Sequence, residues 1–180
     1  MRKEKITMAI NTGFNLENGV KAARRLLRTY VNVGTTEARE WFLVGSGVED
    51  SSIELNPNTE SVTDILGITS TDVTRWEPTQ GFDPFTIKGG STLAFKLHEI
   101  WTNKTPELLS QFEVLIVYKY IGEESSGYEA ELQKNCTINM TSIGGSAYVD
   151  MPIEISYSND SVKGTVTFTE DKPAFAAVSE

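Results

Sequence analysis

The chain has 180 residues, with 39% hydrophobic and 23% charged residues and a formal net charge of −9. These values predict a single globular domain with its own core, and no apolar run approaches the roughly 20 residues of a membrane span, so we expect no membrane partner. No apolar segment follows the amino-terminal charges and Cys136 is the single cysteine, so we expect no secretory signal and a reducing compartment.

The amino-terminal end carries the opposite charge to the rest of the chain. Residues 1–30 hold seven basic and two acidic side chains, a net charge of +5, whereas residues 31–180 carry −14. We predict a flexible arm over residues 1–25, and the alanines and arginines of Val20 to Leu27 are compatible with a helix there. A basic arm on an acidic body can bind nucleic acid or the acidic body of another copy.

Three arginines, Arg24, Arg25 and Arg28, form the densest part of this basic end. The cluster lacks the interleaved aromatic residues, apart from Tyr30, on which single-stranded nucleic acid stacks. The acidic body, with a pI of about 4.7, also disfavours DNA as a partner. The arginines are therefore candidates for inter-subunit contacts, with a solvated surface as an equally good interpretation.

Short strands and loops are predicted between residues 29 and 90. The runs 29–33 and 41–44 are rich in β-branched and aromatic residues, which favours strands. An acidic excursion over 48–60 turns at Asn56-Pro57-Asn58. It holds Glu49, Asp50 and Glu54, further inter-subunit candidates, for which a solvated loop or a weak cation site are alternatives. Two short strands over 63–65 and 72–77 follow, then a loop and edge strand over 78–90.

One helix is predicted with a clear apolar face. Ser91 can cap it, and it extends over residues 92–103. The spacing of its apolar residues places on one face Leu93, Leu97, Ile100 and Trp101.

The carboxy-terminal half predicts strand after strand. Residues 112–121 form a continuous apolar run that is typical of a buried central strand. Period-two alternation over 136–141, 149–157 and 162–168 then predicts an antiparallel meander with one buried and one polar face. The polar positions and turns of this meander include Asp150, Glu154 and Asp160. Residues 171–180 lack periodicity and are expected to form a tail.

No set of residues indicates catalysis. His98 is the only histidine and has no second metal ligand nearby, so a surface position is expected. Gly45-Ser46-Gly47 lies in an acidic loop that would repel phosphate, and Gly89-Gly90-Ser91 is best interpreted as a helix cap. We therefore expect a structural or interaction protein without catalytic, cofactor-binding or metal-binding residues.

Several segments resemble one known family in their order and spacing: Leu26-Leu27-Arg28-Thr29-Tyr30-Val31-Asn32-Val33-Gly34-Thr35, Trp41-Phe42-Leu43-Val44-Gly45-Ser46-Gly47-Val48, Asn56-Pro57-Asn58-Thr59-Glu60, Trp76-Glu77-Pro78 and Lys88-Gly89-Gly90. With the strands up to Phe168, they resemble the bacteriophage major tail protein, the tail tube subunit common in prophages of Gram-positive bacteria. The resemblance implies a mainly β domain over residues 26–170, with two packed antiparallel sheets, a β-sandwich or partly open barrel, flanked by one α-helix.

The resemblance also implies a function. Rings, usually hexameric, would stack into a virion tail tube that conducts DNA, after assembly in the host cytoplasm. The partners would be other copies of the chain and possible tape-measure, tail-terminator and baseplate or initiator proteins. An acidic lumen would keep phosphates from binding, and Asp150, Glu154 and Asp160 are candidates for its wall or for the exterior. The amino-terminal arm and the loop around 49–60 are expected to contact neighbouring subunits or rings.

Other functions remain open at this point. The inner tube of a contractile tail, of a phage-tail-like bacteriocin or of a secretion system would share the fold. A small-molecule-binding β-sandwich or minor hydrolase and a DNA-binding protein have less support from the residues. If the basic end docks on a neighbour's acidic body, subunit association should weaken as salt rises, and DNA binding should be absent at any salt.

Overall fold

The computed structural model describes residues 13–178. Within this range the chain forms eleven strands, one α-helix and two short 3-10 helices, at Arg24–Leu26 and Pro106–Ser110. The strands and the helix are, in chain order, β1 (Leu27–Asn32), β2 (Trp41–Val44), β3 (Ile53–Glu54), β4 (Pro57–Thr63), β5 (Thr69–Trp76), β6 (Thr79–Phe82), α1 (Thr92–Asn103), β7 (Phe112–Glu123), β8 (Gly127–Met140), β9 (Ile153–Ser156), β10 (Ser161–Thr169) and β11 (Lys172–Ala177).

Nine of these strands form one curled antiparallel sheet whose two parts share the long strand β8. The first layer has the order β2-β1-β7-β8-β10-β11, and the second layer has the order β8-β9-β6-β3. Residues 128–133 of β8 pair with β10, whereas residues 137–140 pair with β9. Between the two pairings, Asn135 has a φ of 51°. The mainly β fold with two antiparallel layers and one α-helix confirms the predicted fold class.

The main core lies between the two layers and α1. Inward-facing residues alternate along the strands, because successive side chains of a strand point to opposite faces. Val114 and Ile116 of β7 meet Ile138 of β8 and Ile155 of β9, and all four are buried. Burying an aliphatic side chain of this size contributes about 1.5–3 kcal/mol, so the four side chains together stabilise the packing of the two layers substantially.

A second cluster covers the opposite face of the first layer. Tyr30, Leu115 and Leu132 are buried there beneath partly exposed aromatic residues, among them Phe168 and Phe175. Gly164 is required at this point, since a Cβ on it would collide with the backbone carbonyl oxygen of Ala176 and would lie 2.5 Å from Cε2 of Phe175. The Lys119 ammonium lies 4.7 Å from the Phe168 ring centre, so this face is apolar with a cationic rim.

The helix α1 begins and ends as predicted, and the Ser91 side chain accepts a hydrogen bond from the Ala94 N–H at 3.4 Å. Leu93, Leu97 and Ile100 are buried against the core, as expected. The expectation that Trp101 shares this face is wrong. Its side chain is 53% exposed, and the Lys104 ammonium lies 3.3 Å from the centre of its ring.

Strands β4 and β5 form a separate two-stranded hairpin. The predicted strand over 72–77 is confirmed as part of β5, whereas the end of the predicted acidic excursion belongs to β4 and the predicted strand over 63–65 falls on the end of β4 and the turn. The two strands pair from Pro57 with Trp76 to Thr63 with Thr69. The turn is closed by Asp64 to Gly67 rather than at Asn56-Pro57-Asn58. Nearly every residue of both strands is exposed, so the hairpin projects from the domain.

Three other predictions need correction. The amino-terminal helix is limited to the 3-10 turn, and β1 begins at Leu27. The carboxy-terminal strands are not a simple meander, since β10 pairs with β8 and β11 rather than with β9. This pairing is possible because β8, with 14 residues, is long enough to belong to both layers. The segment 78–90 holds β6, which is not an edge strand because it pairs with both β3 and β9.

The two ends of the described chain also differ from expectation. Lys172–Ala177, predicted as part of a tail, forms β11 and pairs with β10 through a turn at Glu170 and Asp171, both with positive φ. Of the predicted arm, residues 1–12 lie outside the described residues. Phe14 bridges to Ile121, and the Asn15 amide donates to the Gly122 carbonyl at 2.6 Å, so this part of the arm lies along the end of β7.

Candidate assembly and lumen surfaces

The groups that commonly carry catalysis are dispersed. Among residues 13–178, no three His, Cys, Asp or Glu side chains lie close enough to hold a metal ion. His98 is exposed on α1. Cys136 is buried, and burial raises the pKa of its thiol to about 12, so it stays protonated and unreactive at neutral pH. None of the helices within the described part of the chain is long and apolar enough to cross a membrane.

The arginine cluster lies beside the acidic loop of its own chain. Arg24 donates hydrogen bonds to the Ser51 carbonyl at 2.7 and 3.1 Å and to the Leu27 carbonyl at 2.6 Å. Together with Glu49, the three arginines line a groove of about 450 Å³ between β1, β2 and the loop after β2. The structure thus brings together four of the six predicted inter-subunit residues within one subunit: Arg24, Arg25, Arg28 and Glu49.

The other two predicted residues, Asp50 and Glu54, are exposed but do not line this groove. Asp50 lies in the loop after β2. Glu54 lies on β3 and is directly opposite Thr79 of β6.

A buried polar junction connects this region to both layers. The Tyr157 hydroxyl and the Thr29 hydroxyl both donate to the Gln80 side-chain oxygen, at 2.7 and 3.0 Å. The Gln80 amide donates in turn to the Ser51 hydroxyl at 3.2 Å, and Ser51 is the residue whose carbonyl accepts from Arg24. Burial raises the pKa of Tyr157, so its hydroxyl remains a donor. The junction therefore holds the loop after β2 in place from beneath.

The outer face of the second layer is polar and acidic. Antiparallel partners share a face, and Glu154 lies opposite Gly81 of β6 and Asn139 of β8. Glu54 joins the same face through Thr79. The strand residues that form this face include no lysine or arginine: Glu54, Thr79, Gly81, Thr137, Asn139, Glu154 and Ser156.

The other two predicted lumen residues, Asp150 and Asp160, lie in loops and are not part of the strands that form this face. Asp150 is partly buried and accepts a hydrogen bond from the Thr86 hydroxyl at 2.5 Å, so it holds two loops together. Asp160 lies in the turn between β9 and β10, where it accepts from the Asn135 amide at 3.2 Å. Strand pairing therefore places Glu154 on one face with Glu54, whereas Asp150 and Asp160 have roles in loops and turns.

The loop between β1 and β2 is anchored by an ion pair. Arg39 donates to both carboxylate oxygens of Glu113, at 2.8 and 3.0 Å, and the Asn32 amide donates to the same carboxylate at 3.0 Å. The Arg39 hydrogen bonds hold the pKa of Glu113 below its ordinary value. Lys96, whose pKa is lowered by burial, donates from α1 to the Val33 carbonyl at 3.1 Å. These contacts fix the connection that leads into the edge strand β2.

The hairpin β4–β5 carries the candidate residues that sequence reasoning missed. Four exposed aliphatic side chains cluster near its turn: Val62, Ile65, Leu66 and Ile68. The available signal was a turn with Asp64 and Gly67 between two runs rich in Ser, Thr and Val. Alternation of apolar and polar residues could not identify these strands, because neither face of the hairpin is buried in its own chain.

Comparison with known proteins concerns the fold. Neither a protein-family model nor a curated protein sequence matches the chain. A chain of an extracellular contractile injection system, from the PVC sheath/tube terminator in the extended state, is similar with a TM-score of 0.50 and 11% sequence identity, covering 82% of this chain and 99% of that chain.

Two further solved structures are less similar. The anti-feeding prophage tube terminating cap gives a TM-score of 0.47 and 14% identity over 88% of this chain and 99% of that chain. A chain of the PVC sheath-tube complex in the extended state gives a TM-score of 0.46 and 13% identity, over 77% of this chain and 89% of that chain.

Proposed function

We propose that this chain is a structural subunit of a phage-tail-like tube, which assembles head to tail into closed rings that stack. The observation that carries the proposal is the pair of open edges of the first layer. Within residues 13–178, β2 pairs only with β1, and β11 pairs only with β10. Unpaired strand edges promote association with another chain, and a head-to-tail contact that closes produces a ring.

The geometry of β11 supports pairing across copies. The Val178 N–H donates to the Lys163 carbonyl, so this residue faces β10. Inward and outward residues alternate in an antiparallel strand, and therefore Phe175 and Ala177 direct their N–H groups outward. Strand β2 of a neighbouring copy can accept these donors and continue the sheet around a ring. The proposed ring has six subunits, as the resemblance to the tail tube family implies.

The acidic outer face of the second layer is the proposed lumen wall. A wall that carries Glu54 and Glu154 without a basic partner on its strands repels phosphates, so DNA passes without binding. The opposite face of the domain carries Arg28 and Lys119 beside aromatic rings and would bind phosphates if it faced the lumen. Charge therefore supports one orientation of the subunit over the other.

In this proposal, only some of the predicted inter-subunit residues contact a neighbouring subunit. Arg25, Glu49 and Asp50 are exposed beside the edge strand β2 and remain candidates for contacts with a neighbour. Arg24 stabilises its own chain through Ser51, and Glu54 belongs to the proposed lumen wall.

A terminator that closes the end of a contractile tube is the second candidate. The fold similarity to a chain of a sheath/tube terminator structure favours it. A terminator should form single rings that do not stack, whereas a tube subunit should form stacks that lengthen with concentration. The partners would then be a tube and a sheath rather than further copies alone.

Blocking the edge of β11 tests the proposal. Ala177→Pro removes one outward N–H and no hydrogen bond to β10. In negative-stain electron microscopy at rising concentration, we expect rings or stacks from the wild type and from the control Ala177→Ser, and single subunits from Ala177→Pro with an unchanged circular dichroism spectrum. Rings formed equally well by Ala177→Pro would refute edge pairing, and a wild type that stays monomeric at every concentration would refute the assembly function.

A further inference from the structure

The turn of the hairpin presents an exposed apolar surface, here called the tip: Val62, Ile65, Leu66 and Ile68. Ile65 is 102% exposed and Leu66 is 79% exposed, values unusual for side chains of this size. Isolated exposed apolar residues are common, but several at the end of one projecting element indicate a contact with another molecule.

The tip is held in one conformation before any contact forms. The Asp64 carboxylate accepts from the Leu66 N–H at 2.8 Å and from the Ile68 N–H at 2.9 Å. The hydroxyls of Thr63 and Thr69 are hydrogen-bonded at 2.9 Å across the first pair of the strands. Little conformational entropy is lost when such a preorganised element binds.

A groove of about 680 Å³ at the start of α1 has matching properties, and it is here called the helix groove. Its apolar walls are Ile87, Ala94 and Phe95. Gly89 and Gly90 leave it open, since a Cβ on either would have nothing within 4 Å. Phe95 is 64% exposed, so the groove is not filled by its own chain.

Charge selects the hairpin as the occupant. The half of the hairpin around the tip carries Glu60, Asp64 and Asp72 and no basic residue. The lining of the helix groove includes the cationic side chain of Lys88 and no carboxylate. Opposite charges around two apolar surfaces favour their association and fix its orientation.

We propose that the tip of one copy inserts into the helix groove of another copy. Because tip and groove are different parts of the surface, the contact is head-to-tail and can repeat from copy to copy. The inference rests on the proposed assembly function and identifies one contact by which copies join, in addition to edge pairing.

Disulfide trapping between two variants tests this contact. Leu66→Cys and Phe95→Cys replace exposed side chains, and the native Cys136 is buried and unreactive. A disulfide forms only when the two Cα atoms are about 4.4–6.8 Å apart. If the tip inserts into the helix groove, the two variants, mixed under mild oxidation, should therefore form a disulfide between residues 66 and 95. The matched control is Val73→Cys, also exposed but on the hairpin stem, which should cross-link to Phe95→Cys several-fold less.

Two further variants separate this proposal from the assembly function. Leu66→Asp and Gly89→Val, which projects a side chain into the open space of the groove, should both shorten or abolish stacks while leaving the unfolding midpoint of the subunit unchanged. If the wild type assembles but the specific disulfide is absent and both variants assemble normally, the tip contact is wrong and the assembly function stands. If no chain assembles and no disulfide forms, both are wrong.

Discussion

Replacing Gln80 should destabilise the protein more than removing either hydroxyl that binds it. The Gln80 side-chain oxygen accepts from both Tyr157 and Thr29, and all three residues are buried. Gln80→Leu would leave two hydroxyl donors without an acceptor inside the protein. Tyr157→Phe or Thr29→Val leaves the oxygen with its other donor.

The magnitudes follow from this difference. An unsatisfied buried polar group costs about 1–3 kcal/mol, so Gln80→Leu should lower the free energy of unfolding by roughly 2–6 kcal/mol. Loss of one hydrogen bond with the acceptor still satisfied costs about 1 kcal/mol in Tyr157→Phe or Thr29→Val. For a domain of this size, each kcal/mol corresponds to about 2–4 °C in Tm.

Urea unfolding of the monomeric protein, followed by circular dichroism, measures these differences. The triple variant Thr29→Val, Gln80→Leu, Tyr157→Phe is the decisive control, because it removes donors and acceptor together. It should recover most of the stability that Gln80→Leu loses, since no polar group is then left unpaired.

Two outcomes would show that the Gln80 oxygen is not needed to satisfy the two hydroxyls. The first is a Gln80→Leu variant no less stable than Tyr157→Phe, which would mean that the hydroxyls find other partners. The second is a triple variant no more stable than Gln80→Leu, which would mean that lost packing, rather than unpaired donors, determines the cost.

The remaining predictions concern charge. Because Arg39 holds the pKa of Glu113 below its ordinary 4.5, their ion pair stabilises the fold above that pH and is lost as the pH falls through the lowered pKa. Glu113→Gln should therefore cost about 1.5–3 kcal/mol at neutral pH, and its deficit in urea unfolding should shrink in acid; a deficit independent of pH would contradict this. On the proposed lumen wall, Glu54→Lys with Glu154→Lys should make assembled protein retain DNA at low salt, less so as salt rises. No retention in a filter-binding assay, with rings intact, would show that this face is not the lumen.

Local sequence patterns correctly predicted the elements that are defined by their own apolar face rather than by a particular pairing strand. The apolar run of β7 and the spacing of Leu93, Leu97 and Ile100 in α1 depend on one face of one element, and both were predicted correctly. The prediction that Trp101 shares the buried face of α1 was wrong, because this residue lies at the end of the apolar face of α1 and its side chain is exposed.

Pairing partners could not be predicted in the same way. Strand β11 has the sequence Lys-Pro-Ala-Phe-Ala-Ala, with low strand propensity, and it forms because β10 provides an edge. Its turn uses Glu170 and Asp171 at positive φ, where glycine or asparagine is the usual signal. The division of β8 between two partners likewise depends on where β9 and β10 lie.

The candidate surfaces show the same limit. Alternation placed Glu154 on a polar face, but its grouping with Glu54 requires β3, β6 and β9 to align. The basic cluster was visible in the sequence, whereas the Ser51 carbonyl that accepts from Arg24 lies 27 residues away and has no sequence signature.

A cryo-electron microscopy reconstruction of the assembled protein would show both the subunit contact and the lumen. We expect closed rings in which β2 of one subunit lies beside β11 of the next, with Glu54 and Glu154 facing the axis. A two-fold dimer that buries both edges, or a ring whose axis is lined by Arg28 and Lys119, would contradict this expectation.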